Sequence, residues 1–286
     1  MAAADQPARG AVLVSGAALM FASMGVLIRL ASLQLPNEQV VFFRNLFGLL
    51  ILLPLIVQRG IDTAPDRLLA TRHPWLHLAR SLFGLAAMYC FFYALSKLPL
   101  ADAVLLNFTA PLFIPFVAVL WLREQVTARV AVAILTGFAG VLFILKPGSG
   151  LYSWAALIGL ASGAFAGISM VTLRRLSATE PPMRVVLYYG IICTGVSVFP
   201  LLWSWTTPTP DALAYLAGAG VFATAGQYLL SKGYGYAPAA QIGPFTYASV
   251  VFAGGYGWLF WGEMPDWMSA AGTVLVVVAG VLAMRR

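Results

Sequence analysis

Charge is what this chain has least of. Only 9% of its 286 residues are charged, against about 25% in ordinary soluble domains, while apolar residues make up 61%. A globule in water could not hide that much apolar surface, so lipid must serve as the solvent and a polytopic membrane protein is expected. Cysteine is almost missing: Cys90 and Cys193 each stand alone in an apolar segment. That excludes a disulfide framework and reads as two small buried hydrophobes. His73 and His77 are the only histidines. They flank one apolar segment, lack the glutamate of a zinc-protease motif and are too few to close a metal site, so they read as interfacial residues and no metal is expected. No Gly-x-x-x-x-Gly-Lys phosphate loop and no aspartate pair for a diphosphate–magnesium site occur, which speaks against an enzyme and against any cofactor. Carboxylates are absent from mid-membrane positions, since Glu38, Asp102, Glu124, Glu263 and Asp266 fall at segment ends. A proton relay would place one at depth. Facilitated diffusion, or coupling through Lys232 or an end-of-span carboxylate, stays open.

What the chain does have is apolar runs of about 20 residues, the length that crosses a bilayer. Ten are legible, near 11–33, 37–58, 75–96, 101–121, 128–145, 152–174, 184–205, 212–236, 239–261 and 267–284. The first is too long for a cleaved signal peptide and reads as a span. Pro36, Pro74, Pro99, Pro181, Pro182, Pro208, Pro210, Pro238 and Pro265 fall between runs, where a missing backbone donor costs little. Trp75, Trp121, Trp154, Trp203, Trp205, Trp261 and Trp267 crowd their ends, as interfacial aromatics do. The net charge of +7 would suggest nucleic acid in a soluble protein, but its distribution reports topology. Arg9, Arg59, Arg67, Arg72, Arg123, Arg129, Arg174, Arg175, Arg184, Arg285 and Arg286 lie on alternate links or at the termini, and the opposite links hold only Lys97 and Lys146. The positive-inside rule then places both termini in the cytoplasm, and no nucleic-acid partner is expected.

The runs are arranged twice over. Ser23-Met24, Arg29-Leu30 and Pro54-Leu55 recur as Ser169-Met170, Arg175-Leu176 and Pro200-Leu201, at a constant offset of 146 residues. Pro99 and Glu124 recur as Pro238 and Glu263 at an offset of 139, the difference being absorbed in the loop around 59–74. The chain then reads as a single membrane domain over 1–286, with a first repeat at 11–146 and a second at 151–284. Five spans per copy is an odd number, so the second copy is inverted in the membrane, a recurring design of alternating-access carriers. The expected fold is all-α: ten transmembrane helices as two inverted five-helix repeats. The oligomeric state stays open, a monomer being compatible with all of this.

Polar groups and backbone breaks at depth are the candidate site. Pro111 and Pro115 lie inside span four, and Gly243-Pro244 near the start of span nine, its partner by symmetry. Proline removes a helical hydrogen bond, and carbonyls freed in lipid must find another helix, water or a ligand. Pro54 and Pro200 also correspond, but sit near span ends and read as terminations. Gly159, Gly163 and Gly167 line one face of span six at every fourth residue, where helices can touch closely. Arg44, about 10 Å into span two, reads either as a snorkelling cation or as a cation in the solute cavity; its symmetry mate is Gly190. Lys232, near the cytoplasmic end of span eight, has the same two readings, and Tyr93 is its mate. Tyr89, Tyr93, Asn107, Thr109, Gln227, Tyr228, Thr246 and Tyr247 gather in spans three, four, eight and nine among Phe91, Phe92, Phe108 and Phe245. They suit either a mostly apolar cavity with a few polar anchors or plain hydrogen bonding between helices.

These features together resemble the EamA-type branch of the drug/metabolite transporter superfamily. The resemblance rests on Ala94-Leu95, Pro99-Leu100-Ala101, Pro111, Glu124 and Thr136 to Val141 in the first copy, and on Pro238-Ala239-Ala240, Gly262-Glu263 and Ala279-Gly280-Val281 in the second. Arg44 after Phe42-Phe43 looks like the arginine common in that family's second span. The match runs along essentially the whole chain; it departs at Arg123, where glycine is expected, and at Val250 and Gly190, which answer Pro111 and Arg44. The resemblance implies a basket of two inverted halves with a central cavity lined mainly by spans one, three, four, six, eight and nine, spans five and ten serving as braces. It implies an inner-membrane exporter of small metabolites, amino acids including aromatic ones, working by alternating access. Nucleosides, sugars or organic cations are the alternative solutes, and a channel or an intramembrane enzyme the alternative classes. The small multidrug branch uses a first-span glutamate that this chain lacks.

Overall fold

A computed structural model of the chain describes residues 7–60, 70–110, 113, 117, 128–145, 153–177, 179–234, 236, 243–264 and 266–284. Among these residues the secondary structure is helical throughout, without a strand. The helices are α1 (Pro7–Ala31), α2 (Asn37–Gly60), α3 (Pro74–Lys97), α4 (Leu100–Asn107), α5 (Ala128–Leu145), α6 (Trp154–Ser177), α7 (Pro182–Ser197), α8 (Leu201–Ser204), α9 (Pro210–Tyr234), α10 (Ala248–Trp261) and α11 (Trp267–Met284), with a 3₁₀ turn over Gly243–Tyr247. Proline opens α1, α3, α7 and α9, where its missing donor is one of the four that a helix start leaves free anyway. Segments within α1, α3, α6 and α9 are each long and apolar enough to cross a membrane.

The principal contacts join helices from the two ends of the chain. α1 packs on α9, α3 on α6, α5 on α11, α2 on both α9 and α7, and α1 also on α10. Glycine marks these crossings because lipid tails give helices no hydrophobic reason to associate and close approach must supply the attraction. A methyl group on Gly220 of α9 would stand 3.0 Å from the backbone nitrogen of Gly48 in α2, and one on Gly140 of α5 would stand 3.0 Å from the carbonyl of Gly272 in α11. Outward faces are as apolar as the inside. Val132, Leu135, Phe138 and Leu142 form an exposed stripe along α5, and Trp75, Trp154 and Trp267 stand exposed at the starts of α3, α6 and α11. A face of that kind suits lipid, with tryptophan at its borders.

The helix breaks fall partly where proline chemistry places them. α4 stops at Asn107, four residues before Pro111, and a proline at 111 has no N–H to give the Asn107 carbonyl. The Gly243–Tyr247 3₁₀ turn leads directly into α10, which begins at Ala248. α7 ends at Ser197, just ahead of Pro200, and one helical turn resumes beyond it. Pro54 is a correction: it does not end α2, which runs through it to Gly60. Membrane helices tolerate an internal proline when neighbours re-satisfy the freed carbonyl. Pro111, Pro115, Glu124, the loop at 61–69 and the junction at 146–151 lie outside the described residues.

Candidate functional site

Two arginines lie within electrostatic reach of one tyrosine, Tyr189, where α2, α3, α6 and α7 come together. Asn37 Nδ2 at the start of α2 donates to the carbonyl of Tyr89 in α3 at 3.0 Å, and Cys193 Sγ in α7 lies 3.6 Å from the carbonyl of Ser81. Arg44 follows Asn37 by seven residues and Arg80 precedes Tyr89 by nine, so both stand roughly 10–14 Å along their helices from that tie. Arg80 lays its guanidinium over the ring of Tyr189, 4.6 Å from the centroid, and its Nη1 donates to Ser169 Oγ at 2.5 Å. Ser169 returns a bond to the Arg80 carbonyl at 2.9 Å. Arg44 donates through Nη1 to Asn45 Oδ1 at 2.9 Å and approaches Met24 Sδ in α1 at 3.9 Å. Tyr189 lies within electrostatic reach of both arginines and of Cys193.

Neither arginine forms an ion pair among the described residues. The Nε atoms of Arg44 and Arg80, Asn45 Nδ2 and the hydroxyls of Ser81, Tyr89, Thr194 and Tyr247 are buried without a hydrogen-bond partner. Buried polar atoms are ordinarily paired, so the orphans at Arg44, Asn45 and Arg80 mark a place for a ligand or water. Arg80 is a functional candidate that the sequence alone leaves in the shadow of the basic stretch before it. Its signal was there to read: a charge six residues inside an apolar run.

The other sequence candidates fall into separate places. Asn107 Nδ2 at the end of α4 donates to Ser162 Oγ of α6 at 3.1 Å, and the buried Thr109 hydroxyl turns back onto the Leu106 carbonyl at 2.6 Å. Both lie at the α4–α6 seam, but only the Asn107 bond crosses it; the Thr109 bond is local. Tyr247 is buried with its ring 5.8 Å from Phe108, joining the end of α4 to the start of α10. Thr246 supplies the carbonyl that Ser249 caps at 2.9 Å. Gly243 and Pro244 form the 3₁₀ turn itself. Tyr93 packs half-buried against the main core and Gln227 is half-buried on α9. Lys232 is exposed, 5.8 Å from the ring of the exposed Tyr228. Its neighbour Gly233 touches Val14 of α1, whereas Arg44 reaches Met24, roughly 15 Å further along that helix. Lys232 and Arg44 therefore do not share a site.

Two polar ties close the bundle at its ends. At one end Arg29 of α1 pairs with Glu263 at 2.5 Å and lies 4.4 Å over the ring of Trp261, while the other carboxylate oxygen accepts the N–H of Leu100 at 3.0 Å. Gly262, left-handed at φ 65°, makes this possible: it ends α10 and lets the Glu263 N–H turn back to the Gly257 carbonyl at 3.1 Å. At the other end Thr71 donates to Glu180 at 2.7 Å, and Arg184 binds the same carboxylate. His77 stacks on Tyr188 at 4.4 Å and is only 1% exposed. It is thus a buried packing residue, and the interfacial reading does not hold for it.

Burial alone would raise the Glu180 carboxyl, but the bonds from Thr71 and Arg184 and the charges of Arg184 and His77 outweigh it and hold the group below the usual 4.5. A depressed carboxylate contributes stability that is complete above its unfolded value and is lost as pH falls through the folded one. The melting temperature of the purified protein should therefore fall in a limb below pH 4.5. Glu180→Gln should melt earlier at neutral pH, by about 1–2 kcal/mol of stability, and should lack that limb. An unchanged limb in the variant would assign it to another group.

Comparison with known proteins gives a consistent answer. The EamA-like transporter family model matches residues 8–146 and again 153–285. A pseudopaline exporter of Pseudomonas aeruginosa is 35% identical over 96% of both chains. A riboflavin transporter of Vibrio cholerae is 29% identical over 97% of this chain and 94% of its own. An S-adenosylmethionine uptake transporter of Rickettsia bellii is 28% identical over 86% of this chain and 83% of its own. A solved crystal structure, at 19% identity and a TM-score of 0.67 over 96% of both chains, shares the fold. With the family model matched along nearly all of its length, and with helices suited to a bilayer, the chain belongs to the EamA-like transporter family and is a membrane transporter, not an enzyme.

Proposed function

We propose that the chain exports small carboxylate-bearing metabolites, amino acids including aromatic ones among them, across a bacterial inner membrane by alternating access of two inverted five-helix halves. The observation that carries this reading is the set of orphaned buried donors at Arg44, Asn45 and Arg80, where helices of both halves meet inside an otherwise apolar bundle. Midplane sites between repeats are where carriers of this design hold their solute. The helix pairing supports the inverted halves, because it maps onto itself when the halves are exchanged. α1 on α9 answers α6 on α3, and α2 on α9 answers α7 on α3. The relatives move metabolites outward or inward by their names; export follows the pseudopaline exporter, and both termini in the cytoplasm follow the arginine-rich links. In this reading Tyr89, Tyr93, Gln227, Thr246 and Tyr247 line the aromatic-walled cavity, and Lys232 is a cation at its cytoplasmic end. Two unpaired arginines disfavour organic cations as solutes.

The test is counterflow in vesicles holding the purified protein, with a panel of amino acids, nucleosides, sugars and organic cations, run with and without a pH gradient. Exchange of amino acids or related carboxylates is expected, without dependence on the gradient. Exchange of another class with no carboxylate transported would sink the solute assignment, and a gradient-driven accumulation would show proton coupling in place of facilitated diffusion.

A further inference from the structure

We infer that Arg44 and Arg80 form one anion site, arranged around Tyr189, and that the preferred solute brings two acidic groups to it. The inference rests on the carrier reading above and narrows its solute. Two guanidinium groups stand at similar depth on the packed helices α2 and α3, Arg80 stacked on Tyr189 and Arg44 within electrostatic reach of it, and neither has a carboxylate partner among the described residues. The acidic groups of this region are placed elsewhere. Glu180 is held by Thr71 and Arg184, and Glu38 lies in the first turn of α2 toward Tyr89. A zwitterionic amino acid brings one carboxylate and one ammonium. It would leave one arginine uncompensated and set its own cation beside that arginine, a repulsive arrangement in a low-dielectric site. A dianion neutralises both.

The local geometry fits this. Arg80 uses its flat face on the Tyr189 ring and its Nη1 on Ser169, so Nε is left over. Arg44 uses Nη1 on Asn45 and offers Nη2 only to a thioether, a weak acceptor, and again Nε is left over. The Nε edge of a guanidinium is one of the forks that holds a carboxylate through two parallel bonds. Both residues are half-buried, the two Nε atoms themselves being buried. Gly84 makes the stack possible. A methyl group there would come within 2.7 Å of both Arg80 Nη1 and the Tyr189 ring, and within 3.0 Å of its hydroxyl. Any side chain at 84 would drive the guanidinium and the ring apart, so Gly84 acts as a positioning residue for the second cation.

Counterflow of labelled glutamate from vesicles containing the full-length protein, driven by external succinate, glutamate or phenylalanine, tests this. The diacids are expected to compete at about tenfold lower concentration than phenylalanine, the scale of one charge-assisted contact. Arg44→Gln and Arg80→Gln should each erase that advantage, bringing the diacids to the same competing concentration as phenylalanine, and Gly84→Ala should behave like Arg80→Gln. Melting of the unaltered protein in detergent gives a second readout that needs no variant: succinate should raise the transition at concentrations where acetate does not. Equal competition by phenylalanine, or no difference between succinate and acetate, overturns the two-acid site and leaves the carrier reading standing. Exchange confined to a solute without any carboxylate overturns both.

Discussion

Replacing Gly163 by alanine is expected to unseat α4 from α6 and to cost more stability than any other single methyl group added to the bundle. The new carbon would stand 2.2 Å from Thr109 Oγ1, 2.8 Å from the Leu106 carbonyl oxygen and 3.3 Å from the Ala110 nitrogen. Two of these are backbone atoms, which cannot rotate away, and the hydroxyl is already committed to the Leu106 carbonyl at 2.6 Å. The helices must therefore separate. Overpacking of this kind costs about 1–3 kcal/mol, and widening the seam also strains the Asn107–Ser162 bond beside it, worth about 1 kcal/mol. We expect a loss of about 2–4 kcal/mol, read as a lower melting temperature and a smaller folded yield. Gly195→Ala is the control, since nothing lies within 4 Å of that position. Equal melting of the Gly163→Ala variant and the parent would mean that the seam is not tightly packed.

The second large effect is expected at Glu263. Its carboxylate serves two customers, the Arg29 guanidinium and the first free N–H of α4 at Leu100, and it is mostly shielded, with 21% of the side chain exposed. Glu263→Ala removes both and, among the described residues, leaves Arg29 its contact with the Trp261 ring. Breaking a fully buried pair costs about 3–5 kcal/mol; with the partial exposure here we expect about 2–3 kcal/mol, discounting for solvent screening. Glu263→Gln keeps an acceptor for Leu100 and should lose about half as much. Arg29→Ala should be milder than Glu263→Ala, because the carboxylate still caps α4, where a negative charge is favoured by the helix dipole. A double-mutant cycle checks the pairing: additive losses from Arg29→Ala and Glu263→Ala would show that the ion pair contributes nothing.

The residues that were legible from sequence are those whose chemistry is local. An apolar run of the right length and a tryptophan at its end need no knowledge of neighbours, and helices follow them at α3, α6 and α11. Arg44 stood out for the same reason. What sequence could not supply was partnership. Pro54 looked like a terminator because the cost of a freed carbonyl depends on what lies beside it, and α2 continues through it. His77 looked interfacial because nothing in the chain announces that Tyr188, more than a hundred residues on, will cover its ring. Arg80 and Lys232 are equally basic on paper. Only packing separates the one stacked on Tyr189 from the one exposed beside Tyr228.

The pairing of early helices with late ones also has a consequence for how the protein is made. α1 leaves the ribosome first, yet the face it shares with α9 waits for a partner that begins about 180 residues after α1 ends. At ordinary rates of synthesis that is about 10 to 40 seconds per molecule. During that interval α1 must sit in lipid without its α9 partner, carrying Arg29, whose own partners Trp261 and Glu263 are made later still. Assembly is thus a late event that the second half of the chain triggers, and quality control has its widest opening while the first half is still alone.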